Sequence, residues 1–167
     1  GTTLEKSILT LLDRLGPKKI LIVSSAPQIR YPDCYGIDMS KVKEFVAFRA
    51  MLGLLKDRGL EFKKEEVYRK ALALRTEGRL SEQNLVKTLF EPFSDQDISD
   101  KIAEIVKPEG LNAEVSVVYQ TVENLNKACQ KHLGDWYFTG NYPTPGGNKV
   151  VNTAFINFME GKTVRAY

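Results

Sequence analysis

The chain has 167 residues, the length of one ordinary domain, and its 43% hydrophobic and 27% charged residues exclude the disordered and fibrous classes. Lys and Arg outnumber Asp and Glu by 24 to 21, and this +3 is too evenly spread to announce a nucleic-acid or membrane surface. Cys34 and Cys129 stand far apart and His132 is the single histidine, which removes a disulfide framework, a zinc ribbon, a self-contained iron–sulfur site and any scheme needing two histidines. No apolar run approaches the ~18 residues of a membrane span. The opening residues lack a signal-peptide pattern, so the expectation is a reduced, cytoplasmic domain.

Thr2-Thr3-Leu4-Glu5 reads as a capping box, and Leu4, Ile8, Leu11, Leu12 and Leu15 then recur on one face of a helix that Gly16-Pro17 ends. The apolar run Ile20-Leu21-Ile22-Val23 predicts a strand buried on both faces, as in parallel sheets. Helix, turn and buried strand make the second half of a βαβ unit whose first strand is missing, so the reading is of a fragment cut near that loop. A long loop from Ala26 to Met39 leaves the carboxyl end of the strand, where open α/β sheets place ligands. Ser40 is expected to cap a second helix through Leu55. Three charged amphipathic stretches follow, Phe62–Thr76, Ser81–Glu91 and Asp95–Lys107, forming an inserted helical lobe. A strand at Val115–Tyr119, a helix at Thr121–Leu133, a short strand at Asp135–Thr139 and a last helix at Lys149–Met159 complete the pattern.

Gly1-Thr2-Thr3 at a helix start is an anion-binding geometry, with the backbone N–H groups of Thr2, Thr3 and Leu4 facing a phosphate. Ser24, Ser25, Arg30, Tyr35 and Asp38 are candidate active-site residues of the loop that follows the strand. Cys34 has no nearby base to lower its pKa, which argues against a nucleophile, and His132 reads as a solvated surface residue. From the residues alone the chain is a fragment of an α/β phosphate-binding enzyme.

Particular residues add a resemblance. Gly1-Thr2-Thr3, the run Ile22-Val23-Ser24-Ser25-Ala26-Pro27-Gln28-Ile29-Arg30-Tyr31-Pro32, then Tyr35-Gly36-Ile37-Asp38-Met39 and later Phe138-Thr139-Gly140-Asn141-Tyr142-Pro143 resemble the C-terminal part of amidophosphoribosyltransferases. The likeness covers about residues 1–55 and 115–145, and the segment Leu60–Pro108 has no counterpart. It implies an α/β fold, the C-terminal portion of a type I phosphoribosyltransferase-like parallel sheet, divided into a remnant at 1–59, a helical insertion at 60–108 and a C-terminal part at 109–167. It also implies a parent that makes 5-phosphoribosylamine from phosphoribosyl pyrophosphate and glutamine-derived ammonia in de novo purine synthesis. Gly1, Thr2, Thr3 and Leu4 would then hold the substrate 5′-phosphate. Magnesium is implied for the parent, its acidic ligands upstream of Gly1, so no metal ligand and no catalytic residue is expected in this chain, which by itself should be inactive. Phosphoribosyl pyrophosphate and purine nucleotides are the implied partners, with no nucleic acid and no membrane, and the uncovered edge of the Ile20–Val23 strand predicts pairing with a second copy of the chain. Some members hold an iron–sulfur cluster, but the corresponding positions here are Asp33, Gly134 and Tyr137, so none is expected. The alternatives are a non-catalytic nucleotide- or partner-binding module, or a phosphoribosyltransferase that uses a base instead of ammonia.

Overall fold

The computed structural model describes residues 7–34, 41–131 and 134–166. Strands β1 (Lys19–Ser24) and β2 (Glu114–Tyr119) pair in parallel, from Lys19 opposite Glu114 to Ser24 opposite Tyr119. The fold class is α/β with a parallel sheet, as the sequence implies, and this ribbon is its sheet among the described residues. One face of the ribbon enters the core through Ile20 and Val117. The other does not: Leu21 and Val23 are 56% and 70% exposed, so β1 is not covered on both faces as expected. A continuous apolar run is the signature of a strand with two covered faces, and the described elements supply a cover for one.

The first helix differs in the same way. Helix α1 spans Leu9–Asp13 and buries Leu9, while Ile8, Leu11, Leu12 and Leu15 of the expected inward face are between 37% and 81% exposed. What anchors α1 is polar. The Asp13 carboxylate accepts from the backbone N–H groups of Asn112 and Ala113, at 3.2 and 2.8 Å, just ahead of β2.

Helix α2 (Val46–Asp57) starts later than a cap at Ser40 would place it, and Ser40 itself lies outside the described residues. A 3-10 turn at Val42–Glu44 comes first, and Phe45 breaks the run with ψ at 124°. Helices α3 (Phe62–Thr76) and α5 (Asp95–Val106) form where the periodicity places them. Ser94 caps α5 through a reciprocal pair with Asp97. Between them, 81–91 is mostly turn, with helix only at α4 (Lys87–Phe90). The cause lies in the last helix, α8 (Pro145–Met159), which buries Asn152. Its amide donates to the carbonyls of Leu80 and Gln83 and accepts from the N–H of Leu85, so these backbone groups are bonded to Asn152 and not within a helix.

Helix α5 packs on both α2 and β2, and α3 packs on α8. The helices of 60–108 therefore share one core with the flanking elements, including the edge-on rings of Phe48 and Phe158 at 5.1 Å. Helix α6 (Val122–Ala128), capped by Thr121, is shorter than expected. The expected strand at 135–139 is instead a single helical turn, α7 (Trp136–Thr139): the Asp135 carbonyl accepts from the N–H groups of Phe138 and Thr139. Strand propensity in Trp-Tyr-Phe-Thr is overridden by that local turn. Helix α8 begins four residues before the expected start at Lys149, with Pro145 as its first residue, a position where the missing N–H costs nothing. No helix among the described residues is long and apolar enough to cross a membrane.

Candidate functional site

The site is built on the loop that leaves β1. Ser24 closes the strand by donating its hydroxyl to the Ala26 carbonyl at 2.8 Å and accepting the Ala26 N–H at 3.3 Å. Two sets of hydrogen bonds then fix the loop. In the first, the buried Gln28 donates to the Asp95 carbonyl and to Ser99 Oγ, each at 2.8 Å. Its Oε1 accepts from Arg30 Nε at 3.1 Å and Nη2 at 2.6 Å. Arg30 Nη2 also pairs with the Asp95 carboxylate, and the guanidinium lies 5.2 Å from the centre of the Phe90 ring. This set holds the Arg30 guanidinium in a part-buried wall.

The second set joins the loop to α7 and the turn after it. The N–H groups of Arg30 and Tyr31 both donate to the Tyr137 carbonyl, at 2.9 and 3.2 Å. The Tyr137 hydroxyl donates to the buried Asp33 carboxylate at 2.8 Å, and the Tyr142 hydroxyl donates to the Pro32 carbonyl at 2.6 Å. Burial pushes the Tyr31 and Tyr142 phenols well above their ordinary range, so both stay neutral and Tyr142 remains a donor. The turn requires glycine at 140, where φ is +69° and a Cβ would sit 2.6 Å from Asn84 Nδ2 and 2.9 Å from the Tyr31 ring. Gly147 is similarly constrained, since a Cβ there would strike the ring of Tyr142.

The two stretches that carry the resemblance, about a hundred residues apart, thus lie against each other. Beside them, at the carboxyl ends of β1 and β2, is a hollow of about 170 Å3. Gln28 and Arg30 of the loop, Gln96 and Ser99 of α5, and Val118 and Phe138 are among its walls. This is where parallel sheets place ligands.

Of the sequence-predicted residues, Ser24 and Ser25 begin the loop and Arg30 lines the hollow. Gly1, Thr2, Thr3, Leu4, Tyr35, Asp38 and His132 lie outside the described residues. Cys34 is half-buried, and burial together with the neighbouring Asp33 pushes its thiol up, away from a reactive thiolate. Sequence reasoning missed Gln28, Asp95 and Ser99. A signal existed for Ser99, a polar residue set between Ile98 and Ile102 on the buried stripe of α5; none existed for its partner.

Among the described residues no group of three or more His, Cys, Asp or Glu is placed to hold a metal ion. Of the positions that the resemblance sets against cluster cysteines, Gly134 has no side chain, and the Tyr137 hydroxyl donates to Asp33.

Three curated relatives are similar to part of the chain. The amidophosphoribosyltransferases of Pasteurella multocida and Haemophilus influenzae are each 48% identical over 48 residues, and that of Escherichia coli is 45% identical over 47. The matched stretch is 28–29% of this chain and 9% of each relative's length. No family model matches the chain, and no solved structure matches it significantly.

Proposed function

We propose that this chain is part of an amidophosphoribosyltransferase, a glycosyltransferase of de novo purine synthesis, and contributes the C-terminal portion of its type I phosphoribosyltransferase domain. The observation that carries the reading is the contact just described: Tyr137 and Tyr142 bond the loop at Arg30–Asp33, joining the two stretches that resemble the family. In this reading the parent displaces pyrophosphate from phosphoribosyl pyrophosphate with glutamine-derived ammonia. The backbone N–H groups at Gly1–Leu4 bind the 5′-phosphate, and Ser24, Ser25, Arg30, Tyr35 and Asp38 contribute to the active site. Magnesium would supply charge neutralisation at the pyrophosphate when bound.

The parent is cytoplasmic and homo-oligomeric in the same reading, and purine nucleotides bind to it. The isolated chain makes no phosphoribosylamine from either glutamine or ammonia. The test compares the full-length parent with this chain for both reactions: turnover by the parent alone supports the reading, and ammonia-dependent turnover by the chain overturns it. A second reading, a non-catalytic nucleotide- or partner-binding module, draws support from the way Gln28, Ser99, Arg30 and Asp95 satisfy one another. A parent that binds nucleotide without turnover would favour it.

A further inference from the structure

The hollow at the carboxyl ends of the strands has one cation in its wall among the described residues, Arg30. The two members of its ion pair with Asp95 are held very differently. The Arg30 side chain is 15% exposed, fixed through two nitrogens by Gln28 Oε1, and backed by the Phe90 ring. Gln28 is in turn fixed by the Asp95 carbonyl and the buried Ser99 hydroxyl, neither of which depends on the Asp95 side chain. The Asp95 carboxylate that completes the pair is 74% exposed. An ion pair with one largely exposed partner contributes little to stability. Here the cation is preorganised and its counterion is largely exposed beside the hollow.

We infer that the hollow is a binding subsite for a small carboxylate, which takes the place of the Asp95 side chain on Arg30. Asp95 is the resident stand-in and shows the ligand chemistry that fits the guanidinium edge. The aliphatic part of the ligand lies against Val122 and Phe138, which line the same space. About 170 Å3 is enough for an acid of a few carbons. A monoanion is preferred to phosphate: the displaced Asp95 stays tethered nearby, and a second ligand charge would be repelled by it. The inference depends on the hollow and not on the proposed reaction.

Butyrate, butyramide and inorganic phosphate are titrated calorimetrically into the purified chain and its variants, with folding followed by circular dichroism. Asp95→Asn removes the internal competitor and leaves the backbone carbonyl that Gln28 uses, so butyrate should bind about tenfold tighter, the equivalent of one charge-assisted hydrogen bond. Asp95→Ser should do the same and serves if the first variant folds poorly. Combining Asp95→Asn with Arg30→Gln should abolish the gain. Butyramide should not bind. The inference is overturned if neither Asp95 variant gains affinity or if butyramide or phosphate binds as well as butyrate. It equally fails if both Asp95 variants lose the fold, which would make the pair a structural clasp.

Discussion

Replacing Gly140 by alanine tests the junction between the loop and α7 directly. Two costs add. An L residue held at φ +69° loses roughly 1–2 kcal/mol. The new Cβ also lands 2.9 Å from the ring of Tyr31, which is 3% exposed and braced edge-on by Phe90, so the ring has nowhere to go. Overpacking of this kind costs roughly 1–3 kcal/mol, for a total of about 2–5 kcal/mol. Gly78 is the control: its φ is +72°, but a Cβ there meets nothing within 4 Å, so Gly78→Ala pays the backbone cost alone. Urea unfolding is followed by the fluorescence of Trp136, the single tryptophan, one helical turn before Gly140. Hydrogen exchange at the Arg30 and Tyr31 amides reports whether their bonds to the Tyr137 carbonyl loosen. Gly140→Ala should lose clearly more stability than Gly78→Ala and should speed exchange at both amides. Equal losses, or unchanged exchange, would refute the close-approach argument.

Asn152→Leu leaves two carbonyls and one N–H of the 80–85 turn unpaired in the core and should cost about 3 kcal/mol or more by denaturant unfolding. Tyr137→Phe removes the donor to the buried Asp33 carboxylate, and thermal unfolding should show a loss of about 1–3 kcal/mol. Backbone N–H groups, from Ala113 to Asp13 and from Ser94 to Asp97, hold both carboxyls below the usual range. Their contribution is complete above the unfolded pKa and lost as pH falls through the lowered folded value. Urea midpoints should therefore be level from about pH 7 to 5 and fall below about pH 4, less steeply in Asp13→Asn and Asp97→Asn. Light scattering should show a dimer or larger species, and Leu21→Lys with Val23→Lys on the open face of the ribbon should shift it toward monomer; a monomer at every concentration in the native chain would defeat the homo-oligomer.

Local signals carried the elements whose burial is decided close by. In α3, Val67, Ala71 and Leu74 sit on one stripe, and in α5 Ile98 and Ile102 do, and both helices form at the expected residues. Elements decided at a distance were misread. Whether Leu11 and Leu15 are buried depends on what lies over α1, which their spacing does not encode. The turn at 80–85 is set by Asn152, about seventy residues on. For the site, Arg30 stood out as a charge in a proline-rich loop at a strand end, but the side chains that fix and neutralise it did not. Gln28 and Ser99 are 71 residues apart in sequence, and periodicity says nothing about which loop meets which helix turn.

The pairing of β1 with β2 has a kinetic consequence. Lys19 and its partner Glu114 are 95 residues apart, so no rung of the ladder forms until that whole span is closed. Closure entropy and high contact order make such a step slow compared with the helices, whose contacts are within each segment. During synthesis β1 emerges long before β2, and Ile20, Leu21 and Val23 wait as an unpaired apolar strand while α2, α3 and α5 assemble. An unpaired strand of this composition is a template for other chains. Refolding yield should therefore drop with protein concentration more steeply than native solubility does, and the route to better yield is a faster helical framework; a stronger strand would only prolong the hazard.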